Sequence, residues 1–162
     1  MALLPQESEI SEALGDLYLI AGNKQRAIQA YERFLGQTPS RAGHVANRLR
    51  DAGLLDDALR FFRVAAAHQD RDDTDKLLDA YVGLARRLQG DDGARNAVAF
   101  VLREKGQKSW VLNQCASALI DAGLLQDASR LLELLAEQQE DGAAHKLLGI
   151  LSYIRREPAI MN

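Results

Sequence analysis

The 162 residues are 47% hydrophobic and 27% charged, the balance of a folded protein rather than of a disordered tract. Aromatic residues make up only 6%, so a core must rest on Leu and Ala, which suits closely packed helices better than a sheet. A formal charge of −3 gives no general attraction to phosphate backbones or anionic lipid, which argues against nucleic-acid and membrane-surface roles.

The N-terminus, Met1 to Glu7, lacks the basic start and apolar stretch of a secretory signal. No segment approaches the ~20 apolar residues of a membrane span. The expectation is a cytoplasmic chain, or else a fragment of an exported protein.

The first predicted helix covers Glu9 to Tyr18, with Ile10, Leu14, Leu17 and Tyr18 on one face, and Gly22-Asn23 stops it. A second helix runs from about Lys24, with Ala27, Ile28, Tyr31, Phe34 and Leu35 on its apolar side. It closes before Thr38-Pro39, because proline cannot continue a helix.

A second helix pair reads Val45-Ala46, Leu49, Gly53, Ala58 and Phe62, with a short first helix. In the third, Leu77, Leu78, Tyr81, Val82, Ala85 and Leu88 form an apolar face, Gly90 to Gly93 break it, and Ala94, Ala97, Val98 and Val101 resume. The fourth reads Cys115-Ala116, Leu119, Gly123, Ala128 and Leu132. A final helix, about Ala143 to Arg155, carries Leu148-Gly149 and has no return helix before Pro158.

The string Asp51-Ala52-Gly53-Leu54-Leu55-Asp56-Asp57-Ala58 recurs 70 residues later, with one substitution, at Asp121 to Ala128. Both copies fall at predicted turns, so they count stacked units and not two active sites. The spacing is about twice a ~34-residue helix-turn-helix period. Leu14-Gly15, Tyr18, Ala27, Tyr31 and Pro39 match, in order and spacing, the L-G-x₂-Y, A-x₃-F and closing P positions of one such repeat.

On these residues the chain resembles the tetratricopeptide repeat family, over about residues 8 to 155. Ser11 stands where the family usually has tryptophan, and Trp110 lies two residues ahead of the aligned place in the fourth unit. The resemblance implies an all-α fold, a right-handed superhelical stack of antiparallel helix pairs with about nine helices in one domain. Its repeats would cover about residues 8–38, 39–72, 73–107 and 108–141, with a single helix over 142–156. Small residues such as Gly15 and Ala27 would let paired helices approach, and Tyr18 and Tyr31 would fill the space between neighbours. A coiled coil is disfavoured, since Gly22, Gly53, Gly90 and Gly123 would interrupt its seam.

Catalytic and cofactor motifs are missing: there is no Gly-x-Gly-x-x-Gly, H-E-x-x-H or Walker sequence, and Gly106-Gln107-Lys108-Ser109 reads as a loop. His44, His68 and His145 are scattered without ligand spacing, so no metal is expected. The acidic run Asp70 to Asp75 lacks a calcium-loop pattern and reads as the cap of the third pair. Cys115 reads as a buried thiol. The expectation is therefore a protein that is not an enzyme and takes no cofactor.

In the tetratricopeptide family the first helices of successive units line a concave face. The resemblance maps that face to Glu12, Asp16 and Leu19; Gly43, Asn47 and Arg50; Asp79, Gly83, Arg86 and Arg87; Asn113, Ser117 and Ile120; then Lys146, Ile150 and Tyr153. Asn47, Arg50, Arg86, Asn113, Ser117, Lys146 and Tyr153 are the candidate partner-binding residues. Asn47 and Asn113 offer amide donors and acceptors to a peptide backbone, and Arg50 and Arg86 suit a carboxylate or phosphate. Chaperone-binding members hold a C-terminal carboxylate with Lys and Asn where this chain has Glu12 and Asp16, which argues against that ligand. The implied function is a non-catalytic adaptor or scaffold binding a peptide or helix of a protein partner, without nucleic acid. The alternatives are a bacterial secretion-type chaperone, or a structural protein that self-assembles through its C-terminal helix.

Overall fold

A computed structural model describes residues 5–68, 75–138 and 148–153. The acidic run before Asp75, Lys146, His145 and most of the predicted final helix lie outside the described residues. Within them the fold is all-α, without strands. The chain divides into two compact units, Met1–His68 and Gln69–Asn162.

In the first unit, α1 (Pro5–Ile20) pairs with α2 (Lys24–Gln37). After a 3-10 turn at Pro39–Arg41, α3 (Ala42–Asp51) pairs with α4 (Leu55–Ala67). The core consists of Ala27, Tyr31, Phe34 and Leu35 from α2, Val45, Ala46 and Leu49 from α3, and Ala58, Phe61 and Phe62 from α4. These are largely the positions that the helical periodicity selects.

α1 departs from its predicted face. Ile10, Leu14 and Leu17 are exposed, whereas Ser11 and Gly15 are buried. The cause is the closeness of α2: a Cβ on Gly15 would overlap the Tyr31 ring. Only the small side of α1 fits there, and its larger apolar side chains turn outward.

The second unit begins with α5 (Asp75–Lys105), whose arms 75–89 and 91–105 meet at Gly90, with φ 75° and ψ −166°. One residue in the left-handed region makes this reversal, a conformation that disfavours any side chain. The break is shorter than the predicted stretch from Gly90 to Gly93, because residues 91–93 are already helical. Gly93 has a different role: a Cβ there would collide with the Ala85 carbonyl. Tyr81 and Phe100, one from each arm, meet edge to face at 6.5 Å. α6 (Ser109–Asp121) packs on α5 and on α7 (Leu125–Glu137).

The recurring string has the same local structure in both units. Gly53 and Gly123 take φ near +84° and +81°. Gly53 N–H donates to the Arg50 carbonyl and Leu54 N–H to Leu49; Gly123 and Leu124 donate to Ile120 and Leu119 in the same way. These are the two bonds of a Schellman stop, which satisfies carbonyls that a helix end leaves open. Gly22 and Asn23 repeat the pattern at the end of α1.

The second of the two aspartates that both strings share, Asp57 in one and Asp127 in the other, has a further task. Asp57 accepts Lys24 at 3.0 Å, and Asp127 accepts Arg95 at 3.2 Å. In each unit the bridge joins the second helix of one pair to the second helix of the next. The repeated string thus encodes a turn and a bridge between helix pairs.

Candidate functional site

The predicted groove residues fall into both units, and each unit is built differently. In the first, Glu12 and Asp16 do not present free carboxylates. Arg48, from α3, reaches Glu12 at 2.8 Å and Asp16 at 3.0 Å, and Arg41 approaches Glu12 at 3.7 Å. The Tyr31 hydroxyl donates to the same Asp16 oxygen. Three helices are tied together by this network.

Its ionisation follows from that geometry. Burial pushes Tyr31 well above the ordinary tyrosine value, and the hydrogen bond to Asp16 and its charge add to the effect, against the opposing pull of Arg48. Burial works against the charge on Arg48, but Glu12 and Asp16 outweigh it and hold the guanidinium protonated. This corner is an ionic clasp. Sequence reading missed Arg48 because its partners lie 32 and 36 residues away, beyond any local spacing rule.

Of the predicted residues in the first unit, Asn47 is exposed on α3. Arg50 lies over the Phe62 ring, its guanidinium carbon 5.7 Å from the centroid, with Asp51 at 3.8 Å. Its guanidinium thus caps the face of an aromatic core residue while remaining 38% exposed.

In the second unit Arg86 lies in a cleft of about 380 Å³ together with Gly83, Arg87, Gly90, Asp91, Asp121 and Ala122. The cleft brings the C-terminal end of the 75–89 arm beside that of α6. Two absent side chains keep it open, since a Cβ on Gly83 or on Gly90 would meet nothing within 4 Å. Arg86 is engaged by Asp91 at 3.0 Å. Arg87 and Asp121 are exposed, and neither forms an ion pair among the described residues.

Asn113 and Ser117 are half-buried on α6, one turn apart, on the stripe that ends at Asp121. Both already have interactions within the chain. Tyr153 is half exposed and likewise engaged. Ile150, which the spacing placed on the groove face, is instead buried.

Elsewhere, burial alone pushes the Cys115 thiol up to about 12. That keeps it protonated and unreactive, as a core thiol should be. Among the described residues no three His, Cys, Asp or Glu side chains gather as a metal-ligand set. Nor is any described helix long and apolar enough to cross a membrane. Compared with known proteins, the chain matches no family model, and no curated protein resembles it significantly.

Proposed function

We propose that this chain is a non-catalytic interaction module of the tetratricopeptide type, which holds a peptide or helix of a protein partner on the exposed faces of its first helices. The repeat reading is supported by the paired helices, the shared Schellman stops and the equivalent bridges at Asp57 and Asp127. Under this reading the helix pairs stack into a superhelix.

The observation that carries the functional reading is the cleft beside Arg86 and Arg87. Glycines open it, one arginine is fixed by Asp91, and a second arginine faces solvent. Such a site accepts an acidic side chain or a terminal carboxylate, with Arg87 as the donor. Asp121 on the opposite rim favours a basic or amide group next to that carboxylate, so the best ligand is a peptide of mixed charge. Tyr31 and Cys115, whose pKa values are raised chiefly by burial, both lie outside this cleft.

The test is affinity capture with mass spectrometry, using the wild-type chain, Gly83→Leu, and the double variant Asn47→Ala with Asn113→Ala. Gly83→Leu fills the cleft while replacing a helical glycine that has open space around it, so folding should be kept or improved. The expected result is that partners captured by the wild type are lost with Gly83→Leu and reduced with the asparagine pair, at unchanged helicity. Equal capture by all three chains overturns the groove reading.

A further inference from the structure

α1 presents an apolar stripe that nothing in its own unit covers. Ile10 is 58% exposed, Leu14 38%, Leu17 62% and Ile20 84%, and Ala13 and Ala21 lie exposed among them. Ile10, Leu14 and Leu17 are spaced by four and three residues, the seam of a helix that packs along another helix. An apolar stripe left bare in this way marks a contact surface or an aggregation hazard. On α1 the polar residues instead occupy the side turned towards α3, where Glu12 and Asp16 meet Arg48.

We infer that this stripe is the contact surface of a reversible homodimer, in which α1 lies antiparallel against α1 of a second copy of the chain. Three features choose this occupant. The first is self-complementarity: a two-fold axis between Leu14 and Leu17 sets each Leu14 against Leu17 of the partner copy. It also lays each Ile10 over the partner copy's Ala21, large against small, as an isologous interface requires.

The second feature is charge. Glu7, at the start of α1, is exposed and forms no ion pair among the described residues. At the other end Arg26 lies over the Tyr18 ring, 5.8 Å from its centroid, and Lys24 stands close by with its side chain 59% exposed. Antiparallel pairing brings Glu7 beside Arg26 and Lys24 of the partner copy, twice by symmetry. Parallel pairing would set Glu7 against Glu7, so charge selects the orientation.

The third feature is size. The four large side chains offer on the order of 400 Å² of apolar surface, in the range at which a patch marks an interaction site. Two copies with their flanks bury about 1,000–1,200 Å², the low end for a specific interface, which suits a weak, reversible dimer.

Sedimentation velocity on the full chain, from about 1 µM to about 1 mM, tests this. The wild type should pass from monomer to dimer, and Leu17→Glu and Ile20→Glu should each raise the midpoint at least tenfold, since central apolar anchors dominate small interfaces. Far-UV ellipticity should remain unchanged, because both side chains are exposed. Glu7→Arg should weaken the dimer, and adding Arg26→Glu in the same chain should restore it. A wild type that stays monomeric throughout overturns the inference, and so does a Leu17→Glu chain that dimerises like the wild type. Association lost only with Leu148→Glu would transfer the interface to residues 148–153 and equally overturn it.

Discussion

The two units use the same turns and the same aspartate bridge, yet they fill the space between helices by opposite means. Arg48 of the first unit and Ala118 of the second are 70 residues apart, the displacement of the recurring string, and so hold equivalent places on α3 and α6. Arg48 is the centre of the clasp with Glu12 and Asp16, while Ala118 is buried, 2% exposed. One helix surface is thus organised by charge and its counterpart by close apolar packing. The backbone devices are what the chain repeats, and the side chains between them are free to differ. This explains why the self-similarity is concentrated in eight residues and fades elsewhere.

The largest losses are expected at the two glycines that allow close approach. Gly93→Ala should cost about 3 kcal/mol, the upper range for overpacking, because the new methyl meets a backbone carbonyl that cannot move aside. Gly15→Ala should cost less, about 1–2 kcal/mol, since the Tyr31 ring can shift at the expense of its bond to Asp16. Urea titrations measure both. The single tryptophan, Trp110, reports on the second unit, and far-UV ellipticity reports on both. A midpoint for Gly93→Ala equal to that of the wild type would mean that the two arms of α5 do not approach as described.

The clasp comes next. Arg48→Ala should destabilise the first unit by about 1–2 kcal/mol, below the cost of breaking a fully buried pair because the side chain is 35% exposed. A double-mutant cycle with Asp16→Asn should return a coupling of similar sign and size. Trp110 fluorescence gives the contrast, since the buried Ala118 holds the equivalent place in the second unit. Additive losses in the cycle would reduce the clasp to ordinary surface charge.

Much of this arrangement was legible in the sequence. The glycine stops were, because a positive φ leaves few residue choices, and the apolar periods of α2, α3 and α4 pointed to the buried residues directly. The outer face of α1 was not. Ile10, Leu14 and Leu17 have the period of a core face, and periodicity cannot say on which side a neighbour will come close. The buried glycine decided that, and its signal was present in the small pair Ser11 and Gly15. The candidate cleft was half legible: Arg86 and Gly83 came from repeat spacing, whereas Asp91 and Asp121 join them only through the reversal at Gly90. Arg48 was hidden for the same reason, since ion pairs formed across 32 or 36 residues leave no local pattern.

Smaller effects sharpen the contrast. Asp57→Asn and Asp127→Asn should each move the urea midpoint only slightly, because their cations are largely solvated, with Lys24 59% and Arg95 46% exposed. Equal, small shifts in the two units would agree with a shared device of modest strength.

Alkaline pH separates the units without any mutation. In the second, the folded Cys115 thiol is held up to about 12 by burial, against an ordinary value of 9.0. The unfolded chain therefore releases this proton first, so the stability it represents is complete below pH 9 and drains away as pH rises towards 12. In the first unit Tyr31 is raised above its ordinary 10.0, and by the same sign its contribution is complete below pH 10 and falls only above it. Urea midpoints measured from pH 8 upward should therefore decline first for the Trp110 signal, about one pH unit before a decline specific to Tyr31. Cys115→Ala should lower the midpoint at pH 8 through the small cavity, yet flatten its dependence between pH 9 and 10. If that slope survives in Cys115→Ala, the alkaline sensitivity of the second unit comes from another group, and the thiol is not the buried proton that sets it.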